Sequence, residues 1–214
     1  MPKALKKVPK TTRVPDDVAD RLFPAAIETF AKRDFHEVGM RDICAASGVS
    51  TATIYKYFGS KEALLFAILK RQLAEADLGV QKEVAAARTA REQWAAAFKG
   101  LMHSYDDNQD WATVYFITVP TKAWISEGSW ATFGPADFLQ KLAVQQQKAG
   151  EIDRSISSSM VVSLVFMLCT REVQLWFYRG KKWRLTDRAE GMTALFWKAV
   201  SRDKPLSEGI RKRR

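Results

Sequence analysis

The chain has 214 residues, 47% of them hydrophobic, enough for one large or two modest domains with an ordinary buried core rather than a disordered polymer. Its 34 Lys and Arg against 24 Asp and Glu leave a formal charge of +10, which points toward acidic partners without choosing between nucleic acid and an anionic membrane surface. Two cysteines, Cys44 and Cys169, stand far apart in apolar helical patterns, so neither a disulfide framework nor a CxxC metal site is expected, and a reducing cytoplasm is the fitting compartment.

Lys3, Lys6, Lys7, Lys10 and Arg13 precede the first acid, Asp16, and residues 1–15 read as a flexible basic arm able to displace counterions from phosphate. Leu22, Phe23, Ala26, Ile27 and Phe30 then recur at spacings of three and four, the mark of an amphipathic first helix that Asp16 or Asp17 can cap. Pro24 inside it removes a backbone donor, which predicts a kink or a start near Asp20. A second helix is expected from Met40 to Ser47, ended by Gly48, whose freedom to adopt positive φ suits a tight turn. Ser50 caps a third helix through Tyr57, Gly59 breaks the chain, and Ser60 caps a longer helix carrying Leu64, Leu65, Ile68 and Leu69. This first domain is placed at 16–79.

All seven tryptophans, Trp94, Trp111, Trp124, Trp130, Trp176, Trp183 and Trp197, fall after Gly79. Helices are expected near 84–106, 109–126, 135–149, 156–179 and 187–202, with breaks around Gly128, Gly134, Gly150 and Gly180. No stretch shows sustained two-residue alternation, so the fold class is all-α with about nine helices. The N-terminal three-helix helix-turn-helix domain is followed by a helical bundle for ligand binding and dimerisation at 80–203, and a basic tail occupies 204–214. The longest strongly apolar run, Met160 to Thr170, covers about eleven residues, too few for a bilayer, and no membrane partner is expected.

The stretch RDICAASGVSTATIYKYFGS, Arg41 to Ser60, has the layout of a helix-turn-helix. Ile43, Cys44, Val49, Ile54 and Phe58 brace it, which leaves Thr51, Ala52, Thr53, Tyr55, Lys56 and Tyr57 for an exposed face. A helix entering the major groove needs small residues where it nears bases, as at Thr51, Ala52 and Thr53. Hydroxyl or cationic side chains are needed where its flanks meet phosphate, as at Tyr55, Lys56 and Tyr57. Lys61, in the first turn of the next helix, is expected to join the phosphate contacts.

On these residues, and over about fifty positions from Arg21 to Leu69, the chain resembles tetracycline-repressor-like (TetR-like) regulators, most specifically in GVSTATIYKYFGSKE. The resemblance implies phosphate contacts from Thr53, Tyr55, Tyr57 and Lys61 and base-edge contacts near Thr51, Ala52 and Lys56. It also implies a homodimer on a palindromic double-stranded operator, with release by a small-molecule effector as the default and activation left open. Two departures are Gly39, where the family has a threonine cap, and Pro24 in the first helix.

The last two helices are apolar on more than one side, with Val161, Leu164, Val165, Leu168, Leu175 and Trp176 in one and Met192, Leu195, Phe196 and Val200 in the other. Such helices need a second burial partner, which a symmetry mate supplies. Trp94, Trp111, Tyr115, Phe116, Trp124, Phe138 and Phe166 are candidate linings of a pocket for a small apolar or aromatic effector. The chain has no GxSxG, HExxH, GxGxxG or GxxxxGK[ST] signature, and His36 and His103 show no metal-ligand spacing, so no catalytic residue, cofactor or metal is expected.

Overall fold

The computed structural model describes residues 14–119 and 134–202. The basic arm, the basic tail and Trp124 lie outside them, as do Trp130 and Phe133. Among the described residues the regular structure is helical, apart from one antiparallel bridge between Ile152 and Ser201.

Helix α1, Asp16–Lys32, buries Ala19, Leu22, Ala26 and Phe30, the stripe that the apolar spacing predicts. It starts at Asp16 and runs through Pro24, correcting the shorter start. Pro24 is exposed, so the Asp20 carbonyl that its ring deprives of a donor faces the side where water can serve it. Helices α2, Met40–Ser47, and α3, Thr51–Phe58, follow, then α4, Lys61–Ala85.

Gly79, the expected domain boundary, lies inside α4. Its neighbours favour helix strongly enough to absorb the roughly 1 kcal/mol that a glycine costs. The break comes instead at 86–89, where Thr89 and Glu92 form a reciprocal cap: the Glu92 N–H donates to the Thr89 hydroxyl (3.2 Å) and the Thr89 N–H to the Glu92 carboxylate (3.0 Å). Helix α5, Ala90–Asp107, starts there. After Asn108 come the short α6, Gln109–Thr113, and a π-helical turn, Val114–Thr118, in place of the first part of one long helix; 120–126 lies outside the described residues.

Helices α7, Pro135–Ala149, α8, Ser158–Tyr178, and α9, Ala189–Val200, complete the chain, with a 3-10 turn Leu185–Arg188 before α9. By length and composition α8 could cross a bilayer, with mean hydropathy 1.5 and a third of its apolar window buried. It is longer than its apolar run because Arg171 and Glu172 continue the helix.

The chain divides into two compact units. The first holds α1, α2, α3 and the start of α4, together with the described residues 108–119. There α6 and the π-helical turn pack against α1, although the sequence places this segment with the second domain. Leu22, Phe30, Ile43, Ile54, Leu64 and Ile68 form its core, and Phe23 meets Phe58 at 6.0 Å between ring centres. The second unit holds the rest of α4, with α5, α7, α8 and α9. Trp94 and Phe98 of α5 pack on Phe196 of α9 at 4.7 and 5.4 Å. Gly100 lets α5 approach α4, since a Cβ there would stand 3.3 Å from the Val80 Cα.

Candidate nucleic-acid interface

Sequence determines the turn between α2 and α3 almost residue by residue. Gly48 ends α2 at φ 67°, its N–H donating to the Cys44 carbonyl at 2.9 Å. Val49 is buried, and the Ser50 hydroxyl accepts the Thr53 N–H at 3.1 Å, a cap worth about 1 kcal/mol. Ile54 and Phe58, four apart, fix one side of α3 in the core at about 1.5–3 kcal/mol each. Gly59 at φ 74° then ends the helix.

What the core does not take is left to solvent. Thr51, Ala52, Tyr55 and Lys56 are exposed, Tyr55 to 49%, while Thr53 and Tyr57 are half-buried. All six lie on one eight-residue helix. The hydroxyls at its start have internal partners: Thr51 Oγ1 lies 3.2 Å from Cys44 Sγ, and Thr53 Oγ1 lies 2.8 Å from Ser50 Oγ. The Lys56 ammonium sits 5.3 Å from the Tyr57 ring centre, so the cation and the phenol form one flank.

Lys61 is placed differently from the other candidates. Its ammonium donates to the carbonyls of Phe35 (2.6 Å) and Val38 (2.8 Å) and lies 4.3 Å from the Phe35 ring centre. Two of its three donors are therefore spent within the domain.

Arg41, which the sequence reading did not single out, is exposed in the first turn of α2. Its signal was a basic side chain opening the helix-turn-helix. Gly39, at the cap of that helix, offers no side chain, so only the returning half of a capping box forms, with the Gly39 N–H donating to the Asp42 carboxylate at 2.7 Å.

The candidate pocket residues are divided between the two units. Trp94, Phe138 and Phe166 belong to the second unit, whereas Trp111, Tyr115 and Phe116 belong to the first. Trp94 is fully buried and Phe138 and Phe166 are half-buried. The Trp111 ring is tilted against that of Tyr115 at 5.3 Å between centres, and burial pushes the Tyr115 phenol up to about 12, so it stays neutral. Burial also pushes the Cys169 thiol up, leaving it unreactive.

A capped short helix, buried on one side and open on the other, across a glycine turn from a bracing helix, defines a helix-turn-helix DNA-binding domain. Residues 22–68 match the model of bacterial regulatory proteins of the tetR family. Over these residues the chain carries a DNA-binding domain of the tetR-family kind.

An HTH-type transcriptional regulator of Mycobacterium tuberculosis is 31% identical over 102 residues, 48% of this chain and 50% of the relative. The chain thus spans about half the length of that relative. The fatty acid metabolism regulator protein of Bacillus subtilis is 21% identical over 180 residues, 82% of this chain and 91% of its own. Among solved structures, the fatty acid degradation regulator FadR from Bacillus halodurans superposes with a TM-score of 0.78 at 18% identity, covering 94% of this chain and all of its own. FadR from Bacillus subtilis, solved in complex with stearoyl-CoA, gives 0.77 at 18% identity, with 85% and 98% covered. These likenesses show a shared fold.

Proposed function

We propose that the protein is a cytoplasmic homodimeric repressor that holds a palindromic operator through α3 of each copy and releases it when a small apolar effector enters the helical bundle. The observation that carries this reading is the exposure of Thr51, Ala52, Tyr55 and Lys56 on α3, which supports base-edge contacts from the first two and, with the half-buried Tyr57, phosphate contacts from the others.

The second copy is called for by the outer faces of α8 and α9. Met160, Met167 and Tyr178 follow one stripe of α8 and are exposed, Met167 to 62% and Tyr178 to 83%, while Leu195 of α9 is 64% exposed. Each helix also buries an opposite stripe in its own unit, Val161, Val165, Cys169, Val173 and Trp176 on α8, and Met192, Phe196 and Val200 on α9. An apolar surface left over after the core has closed fits an isologous interface between copies.

A fatty acyl chain is the effector class that the comparisons support, since one neighbour holds stearoyl-CoA and a relative is named for fatty acid metabolism. An effector favouring one reader spacing by about 1 to 3 kcal/mol would change operator occupancy by about five- to 150-fold.

Selection of random duplexes by the purified protein, followed by titration of the recovered sequence with long-chain acyl-CoA, tests the reading. An inverted repeat with half-sites about 34 Å apart, lost on acyl-CoA addition, supports it. Tighter binding with acyl-CoA would overturn the sign of regulation, and recovery of no common sequence would overturn the reading.

A further inference from the structure

We infer that Lys61 is a positioning residue of the DNA reader, holding the α1–α2 connection to the first turn of α4 instead of contacting phosphate. The inference rests on the helix-turn-helix reading and deepens it.

The connection, residues 33–39, is short and buries Phe35 and Val38, so its backbone carbonyls need donors from elsewhere. Two cations supply them. Arg33, at the end of α1, donates to the Glu37 carbonyl at 2.8 Å and pairs with Asp42 at 3.3 Å, and Asp42 in turn accepts the Gly39 N–H. Lys61 donates to the Phe35 and Val38 carbonyls, with its charge over the Phe35 ring.

A lysine in the first turn of a helix is opposed by the positive end of the helix dipole. Carbonyl oxygens and the negative face of a ring offset that opposition, and charge-assisted donation to the backbone is the stronger kind of hydrogen bond. With two of its three donors held by carbonyls and the ammonium over the Phe35 ring, the charge is tied to the connection, and reaching for a phosphate competes with these partners. Through Gly39 and Asp42 the clamp fixes where α2 begins, and α2 carries α3 across a turn with no slack at Gly48. Lys61 thereby ties the placement of the reading face to the start of α4.

The test compares the parent with Lys61→Met, which keeps the stem and removes the charge, and with Lys61→Arg. Each is titrated with the selected operator and with a random-sequence duplex over a range of salt. For Lys61→Met we expect operator affinity to fall at least about tenfold, random-duplex affinity to change little, and the slope of log K against log salt to match the parent. Lys61→Arg should recover part of the operator affinity. A slope shallower by about 0.9, the loss of one phosphate contact, with equal weakening on both duplexes would overturn the inference.

Lysine acetylation of the intact parent, read by mass spectrometry with and without random duplex, needs no variant. Lys61 should react slowly in both states, whereas Lys56 reacts fast and becomes protected. Fast reaction at Lys61 that DNA suppresses would overturn the inference. Failure of the parent itself to bind any duplex would instead sink the helix-turn-helix reading.

Discussion

The indole N–H of Trp94 donates to Oε1 of Gln146 at 2.7 Å, joining α5 to α7 inside the second unit, and the Gln146 amide donates onward to Gln93 Oε1 at 2.7 Å. Gln146 is a buried polar side chain whose role is to satisfy a buried indole. Replacing Gln146 by Leu orphans the Trp94 N–H, and we predict a loss of about 1–3 kcal/mol. For a chain of this size that is a fall of very roughly 2–12 °C in the unfolding midpoint, read by circular dichroism. Adding Trp94→Phe to that variant should restore part of the loss attributable to the orphaned donor.

Asp106 organises the approach to α9. Its buried carboxylate accepts the N–H groups of Leu185 (2.8 Å) and Thr186 (3.0 Å) and the Thr186 hydroxyl (2.9 Å), capping the 3-10 turn. Asp106→Ala leaves these donors to compete for water, and we predict destabilisation of about 2 kcal/mol. Hydrogen exchange should quicken first at Leu185 and Thr186; uniform quickening over the unit would contradict a local cap.

Glu92 gives α5 an acid-sensitive start. Hydrogen bonds from the N–H groups of Thr89 and Arg88 hold its carboxyl below the ordinary glutamate pKa of about 4.3. A depressed folded-state pKa contributes stability that is present above the unfolded value and is lost as pH falls through the folded one. Below about pH 4.3 the parent should therefore lose midpoint temperature more steeply than Glu92→Gln, with the difference constant at neutral pH. Identical profiles would remove Glu92 from the cap.

The proposed interface predicts that Met167→Glu with Leu195→Glu yields a folded monomer. Both side chains are exposed in one copy, so the fold has little to lose, whereas two apolar contacts per copy become charged. Sedimentation should show the mass halved, and operator affinity should fall with it. A dimer of unchanged mass would place the interface elsewhere.

The reader was legible because its signals are local. Gly48 and Gly59 mark positive-φ stops, Ser50 a cap, and Ile54 with Phe58 a four-residue stripe, none of which needs knowledge of distant chain. The internal partners of Lys61 were not legible for the opposite reason: its acceptors are 23 and 26 residues away, and only the tertiary structure brings them together. The end of α4 could have been read from the Thr89 and Glu92 pair, whereas the next helix was expected from about 84. Aromatic residues at helical spacing look the same whether they fill a core or line a cavity. Nothing local shows that the segment carrying Trp111 and Tyr115 packs against α1, because that depends on tertiary docking of α6.

The central claim is that the exposed start of α3 meets the duplex, and Thr51→Glu with Ala52→Glu tests it most directly, by fluorescence anisotropy against the selected operator at low salt. The account predicts that binding is lost while the unfolding midpoint and the oligomeric mass stay close to those of the parent, since both positions face solvent. Retention of parental affinity by this variant would contradict it.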